Sequence, residues 1–272
     1  ARMFERVKAA RNIDTLMLVT SMDSSDDPVI NLCRQEGVLC FRGSLDDVLD
    51  RYYQAARVIR PDVVVRLTGD CPLIDPAVID CMVDLYHEKH CDYAANSAPP
   101  PGTFPDGMDV EVFSFKGLDQ AWREADKPSH REHVTFYFWQ NPQLFRLFRY
   151  DLDEDLSSVR LTVDYPDDLE VVREVYARLY QRDPLFTMND ILALLQAHPQ
   201  VQPNRLRDKE LSFFYHFGYR GLDHDTIATY RQAFAAPAGS VCGEWSPGYL
   251  DFPLAVDYLS QAAPATKILA IV

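Results

Sequence analysis

Hydrophobic positions along the chain recur in two periods, and from the start to about Ala197 the two periods alternate. Met3, Phe4, Val7 and Ala10 fall at helical spacing, so the chain opens in an amphipathic helix. Leu16-Met17-Leu18-Val19-Thr20 is a short apolar run of strand type, followed by a helix through Val29, Ile30 and Cys33. Val38 to Phe41 reads as a second strand, and Val48, Leu49, Tyr52, Tyr53 and Ala56 as the next helical stripe. The clearest strand is Asp62 to Thr68, with a helix through Ile79, Val83 and Tyr86 after it. Strand, helix, strand with connections this short predicts an α/β fold, a mainly parallel sheet with helices on both faces. Ligands of such sheets bind outside the carboxyl ends of the strands, so the residues just past each strand are the first candidates for chemistry.

Ala98-Pro99-Pro100-Pro101-Gly102 interrupts the alternation with a loop that neither a helix nor a central strand could contain. Beyond it, Met108 to Phe113 reads as a strand and Leu118 to Ala125 as a helix. Lys127-Pro128-Ser129 leads into a helix containing His133 and Phe136. Val159 to Val163 is a further expected strand. Pro166 opens a helix through Leu169, Val172 and Tyr176, a position where its missing N–H costs nothing. A last helix spans Met188 to Ala197. After His198 the texture changes to a stretch rich in aromatic and basic residues, which places a domain boundary near Pro199 to Pro203.

Charge narrows the partners. The 272 residues carry a net charge of −14, which argues against nucleic acid or an anionic membrane surface, while leaving room for a local basic pocket for one triphosphate. Composition is that of a soluble globular protein, no apolar run approaches membrane-spanning length, and the start is not a signal peptide. The cysteines Cys33, Cys40, Cys71, Cys81, Cys91 and Cys242 form no CxxC pair and read as reduced thiols of a cytoplasmic protein.

Three stretches carry candidate chemistry. In Arg66-Leu67-Thr68-Gly69-Asp70-Cys71-Pro72, Asp70 stands just past the clearest strand, where a carboxylate could hold a hard divalent cation against phosphate oxygens. It could equally cap the helix that begins near Pro76, a task open to Asp75 as well. In Val163-Asp164-Tyr165-Pro166-Asp167-Asp168, Asp164 ends a strand, while Asp167 and Asp168 fall in a first helical turn where the dipole alone accounts for them. Asp106, Asp109 and Glu111 lie at near-alternate positions of an expected strand and suit either a wall facing a polyhydroxylated sugar or a solvated edge. Arg131, Glu132 and His133 on the following helix complete that wall or form a solvated face; His133 is an acid/base candidate.

Phe41-Arg42-Gly43-Ser44 with Asp47-Val48-Leu49-Asp50-Arg51-Tyr52-Tyr53, then Gly69 to Asp75, Thr103 to Phe113, Arg131 to Thr135 and Leu161 to Asp164, resembles the spore coat polysaccharide cytidylyltransferase family. That family is similar to the acylneuraminate and KDO cytidylyltransferases. The resemblance covers Arg2 to about His198, so residues 1–198 are expected to be a cytidylyltransferase-like domain. It implies a Rossmann-like, GT-A-like nucleotidyltransferase fold, a Mg²⁺ ion, and attack of a sugar or sugar acid on the α-phosphate of CTP. By matching position, Asp70 and Asp164 would be catalytic metal ligands. Ser21 and Arg42 would lie near the nucleotide, and Asp106, Asp109, Glu111, Arg131 and His133 near the sugar. A homodimer is compatible with the resemblance. The family begins with a strand and a Gly/Arg/Ser-rich phosphate loop ending in Lys, and this chain is expected to start after them, as a fragment with an open sheet position and impaired catalysis.

Residues 199–272 carry a second resemblance. Lys209 to Phe214, Val241 to Leu250 and Ala263 to Val272 are similar to part of a bacterial sulfotransferase domain, in which Glu244 matches a general-base carboxylate. The competing functions are therefore a noncatalytic sugar- or nucleotide-binding module and a sulfotransferase.

Overall fold

The computed structural model describes residues 1–201. The amphipathic start is helix α1 (Arg2–Ala9), which buries Phe4, Val7 and also Arg6. Strands β1 (Met17–Ser21) and β2 (Leu39–Gly43) pair in parallel, with Met17 opposite Leu39 and Ser21 opposite Gly43. Helix α2 (Asp27–Glu36) connects them and ends at Gly37, whose φ of 62° is a left-handed conformation suited to glycine. Helix α3 (Val48–Ile59) is capped by Asp47, which accepts from the Asp50 N–H at 2.8 Å. Strand β3 (Val63–Arg66) and helix α4 (Pro76–Glu88) follow.

Strands β4 (Tyr93–Ala95), β5 (Glu111–Ser114) and β6 (Leu147–Arg149) join β3 in a sheet of order β3-β5-β4-β6. Between β5 and β6 run α5 (Phe115–Glu124), α6 (Pro128–His133) and α7 (Phe136–Gln140); α8 (Pro166–Leu179) and α9 (Met188–Ala197) close the described chain. The α/β architecture stands, and three of the four strands of this sheet run the same way, with β5 reversed among them. Strand β5 is antiparallel to both β3 and β4, while β4 and β6 are parallel. The reason is local: the Pro-rich loop after β4 contains no crossover helix, so the chain returns in the opposite direction.

Alternation along β5 puts helices on both faces. Val112, with Ala94 of β4, packs into the main core with Ile79, Met82 and Val83 of α4 and with Val172, Val175 and Ile191 of α8 and α9. Phe113 points the other way and meets Phe138 of α7, ring centroids 5.1 Å apart, with Tyr93 also against Phe138 at 5.4 Å.

Three expectations need correction. Val159–Val163 forms no ladder strand; its one bridge joins Arg160 to Asp106. The helix expected through His133 and Phe136 breaks into α6 and α7 because Val134 adopts φ 59°, which no right-handed helix admits. Only Glu111 of the acidic trio lies in a strand; Asp106 and Asp109 precede it in a loop bent by Gly107 at φ 104°.

Of the expected second segment, Pro199–Val201 forms a short turn whose Val201 is buried in the main core. The rest, including Glu244 and the expected strands near Val241 and Ile268, lies outside the described residues. Among the described residues the cysteines are free thiols, and no helix is long and apolar enough to cross a membrane.

Candidate active site

Asp75, not Asp70, caps α4: its Oδ1 accepts the Ala77 N–H at 2.8 Å and its Oδ2 the Met188 N–H of α9 at 2.6 Å. That settles the alternative left open by the sequence and leaves Asp70 without a capping task. Asp70 sits in the turn after β3, and its main-chain oxygen accepts the Val163 N–H at 2.8 Å. Asp164 follows directly, so the backbones of the two expected metal-ligand residues are brought together across a long stretch of chain.

The segment from Val159 to Val163 is laced in at three points. Asp106 N donates to Val159 O at 2.9 Å, Leu161 N to Asp106 O at 2.6 Å, and Val163 N to Asp70 O. Gly107 makes this approach feasible, since a Cβ there would stand 2.6 Å from the Leu161 carbonyl carbon and 2.7 Å from Thr162 N. Asp106, Asp70 and Asp164 thus belong to one backbone junction.

Asp109 is drawn into the same group. Burial, then the charges of Asp106 and Glu111, push its carboxyl up to about 7, with Asp70 adding to the effect and a hydrogen bond with Ser97 opposing it. A carboxyl poised near neutrality can accept a proton from a bound hydroxyl.

Glu111 is spoken for. Its carboxylate accepts from Tyr93 Oη at 2.6 Å, from Thr135 Oγ1 at 2.6 Å and from Arg66, its cross-strand partner in the β3–β5 ladder. Burial works against the charge of Arg66, but Glu111 outweighs it and raises the guanidinium pKa. With those donors in place, Glu111 acts as a hub under the site. Thr135 is delivered to it by a tight turn in which Thr135 N donates to His133 O at 2.5 Å around Val134. A β-branched residue at positive φ stores of the order of 1–3 kcal/mol of strain, and such strain clusters at functional sites. His133 stacks on Phe136 with centroids 4.3 Å apart.

The other expected site residues form separate groups. Arg131 clamps α6 to α3, donating from Nε to Asp47 Oδ2 at 2.9 Å and from Nη1 to Trp122 O at 2.7 Å. Ser21 and Arg42 meet at the carboxyl ends of β1 and β2. Arg42 Nε donates to Ser21 O at 2.8 Å, Nη1 to Asp27 at 2.9 Å and Nη2 to Asp23 O at 2.7 Å, while Ser21 Oγ donates to Asp26 at 2.5 Å. These bonds build the loop after β1 at the end of the sheet where ligands bind.

Sequence reading missed Arg66, Tyr93, Thr135 and Arg160. Arg160 stands four residues before Asp164, a spacing that could have flagged it.

Among the described residues no group of three or more His, Cys, Asp or Glu side chains gathers closely enough to hold a metal by itself. The hard oxygens of Asp70 and Asp164 nonetheless fit Mg²⁺, which proteins bind through one or two carboxylates while phosphates and waters complete the octahedron.

Known proteins resemble this chain over most of its length. An uncharacterized protein of Methanocaldococcus jannaschii is 34% identical over 204 residues, 74% of this chain and 80% of that protein. The spore coat polysaccharide biosynthesis protein SpsF of Bacillus subtilis is 29% identical over 197 residues, 72% of this chain and 80% of that protein. A solved cytidylyltransferase from Leptospira borgpetersenii superposes with a TM-score of 0.68 at 32% identity, covering 74% of this chain and 83% of its own. The cytidylyltransferase family profile matches residues 1–232, running past the boundary expected at 198. On a match of that extent, the chain belongs to the cytidylyltransferase family.

Proposed function

We propose that the protein is a CTP-dependent cytidylyltransferase that joins CMP to a sugar or sugar acid destined for a surface polysaccharide. The observation that supports this reading is the Val163 N to Asp70 O bond, which joins the backbone just before Asp164 to the turn that carries Asp70 in a chain of this family. A sugar hydroxyl oxygen attacks the α-phosphorus of CTP, the bond from that phosphorus to the bridging oxygen breaks, and pyrophosphate leaves with the electron pair. Asp109, half-buried with a pKa of about 7, accepts the hydroxyl proton. Asp70 and Asp164 would hold Mg²⁺, which when bound neutralises phosphate charge. Asp106 faces the sugar beside Asp109. Glu111 supports that wall from below through Tyr93, Thr135 and Arg66, and the His133 turn is fixed to it through Thr135. Ser21 and Arg42 shape the nucleotide side, and Arg131 fixes α6. The reaction and its substrates place the enzyme in the cytoplasm.

Pyrophosphate release from CTP in the presence of Mg²⁺ and a panel of sugars and sugar acids tests this reading. Asp70→Asn and Asp164→Asn should each lower turnover about a hundredfold or more, the scale set by loss of one electrostatic group that stabilises developing charge. Undiminished turnover in Asp70→Asn would remove the proposed metal site.

A further inference from the structure

Arg160 joins residues that the proposed function assigns to different substrates. Its Nη1 donates to Asp106 Oδ2 at 2.9 Å and its Nη2 to Asp164 Oδ2. Its Nε and Nη2 also bond the two oxygens of Asp168, at 3.2 and 3.1 Å. Asp168 is itself fixed in the first turn of α8, where its Oδ2 accepts the Asp164 N–H at 2.9 Å and the Tyr165 N–H at 3.0 Å. Burial opposes the guanidinium charge, but Asp168, Asp164 and Asp106 outweigh it and raise the pKa of Arg160. A planar fork is therefore held rigidly by Asp168 and presented to Asp106 and Asp164.

A structural ion pair with Asp168 would account for the burial of Arg160, whose side chain is 16% exposed. It would not account for Asp106, which is 44% exposed, arrives from a distant loop, and meets the same guanidinium as Asp164. One rigid group sets the direction of both carboxylates. Lysine has no equivalent, because an ammonium lacks the fork geometry.

We infer that Arg160 is a positioning residue, which turns Asp164 toward the divalent cation and Asp106 toward the sugar so that the two subsites are aligned as one unit. The inference rests on the proposed reading of Asp164 as a metal ligand. Partners that orient a ligand from outside the coordination sphere typically change metal affinity by about 10–100-fold when removed.

The test uses the full chain with Mn²⁺ as the probe, free Mn²⁺ being read by electron paramagnetic resonance at fixed CTP. Arg160→Gln should weaken Mn²⁺ binding by about 10–100-fold and raise KM for the sugar. Arg160→Lys should recover little of either. Mn²⁺ affinity in Arg160→Gln equal to or tighter than that of the parent, while Asp164→Asn weakens it, would overturn the positioning role. Unchanged Mn²⁺ affinity in Asp164→Asn itself would show that the ligand assignment had failed, and the inference with it. If circular dichroism shows Arg160→Gln to be unfolded, Arg160→Lys decides by the same criterion.

Discussion

Two glycines in left-handed conformations allow the junction behind the site to be weighed. Gly37 and Gly107 both have positive φ, 62° and 104°, but a Cβ on Gly37 meets nothing within 4 Å. On Gly107 it would stand 2.6 Å from Leu161 C, 2.7 Å from Thr162 N and 2.9 Å from Leu161 O, all main-chain atoms with no rotamer to change. Gly37→Ala should therefore cost only the backbone term, about 1 kcal/mol. Gly107→Ala adds displacement of the segment from Val159 to Val163. It loses the Leu161 N to Asp106 O and Asp106 N to Val159 O bonds, each worth about 1 kcal/mol, on top of roughly 1–3 kcal/mol for the conformation itself. The sum is roughly 3–5 kcal/mol. Urea unfolding of both variants, followed by circular dichroism, gives the comparison, and the Gly107 variant should also lose cytidylyltransferase activity while the Gly37 variant keeps it. Destabilisation of the two variants within about 1 kcal/mol of each other would mean that the Asp106–Leu161 approach is not held by close packing.

Arg6 is buried, with Nε bonded to Ile74 O and Nη2 to Phe186 O, both at 2.7 Å. Arg6→Ala should lower stability by about 3–5 kcal/mol in thermal unfolding, because two buried carbonyls lose their donors and a cavity opens; a loss below about 1 kcal/mol would contradict it. Asp109 has its carboxyl raised from an ordinary 3.8 to about 7, so its folded form holds a proton that the unfolded chain has released. Its contribution is full below pH 3.8 and fades as pH rises through about 7. Asp109→Asn should flatten the decline of stability across that window, and an unchanged profile measured by urea midpoint would refute the shift. The same variant should also remove the acidic limb from the pH profile of kcat, because a general base works only once it has lost its proton.

Much of the fold was legible because long apolar stripes such as Ile79, Val83 and Tyr86 admit few readings. The exceptions have local causes. Strands β4 and β6 are not legible in the sequence because each has only three residues, too short to show a period. Val134 carries ordinary helix-compatible neighbours, and its positive φ accompanies the Thr135 bond to Glu111, a contact across 24 residues that local sequence does not announce. Asp70 was visible as a carboxylate just past a strand and Asp164 as one past an expected strand, whereas the Val163 N to Asp70 O bond that brings their backbones together is a contact no side-chain pattern announces. The saturation of Glu111 was hidden for a related reason: Arg66 stands opposite it only once β3 and β5 pair.

The carboxylate of Asp75 serves two helices at once, and this bears on the order in which the chain folds. Helix α9 begins with its own reciprocal bonds between Thr187 and Asp190, so its first turn forms from local sequence. Its leading N–H, on Met188, is nonetheless taken by a residue 113 positions earlier. Closing a loop of that length from an open chain costs roughly 4 kcal/mol in entropy, and one hydrogen bond cannot offset it. Docking of α9 therefore waits until the sheet and α8 have shortened the effective loop. Asp75 should show a low φ-value toward α9 and a higher one toward α4. The side chain that starts α4 early is then the one that secures the last described helix.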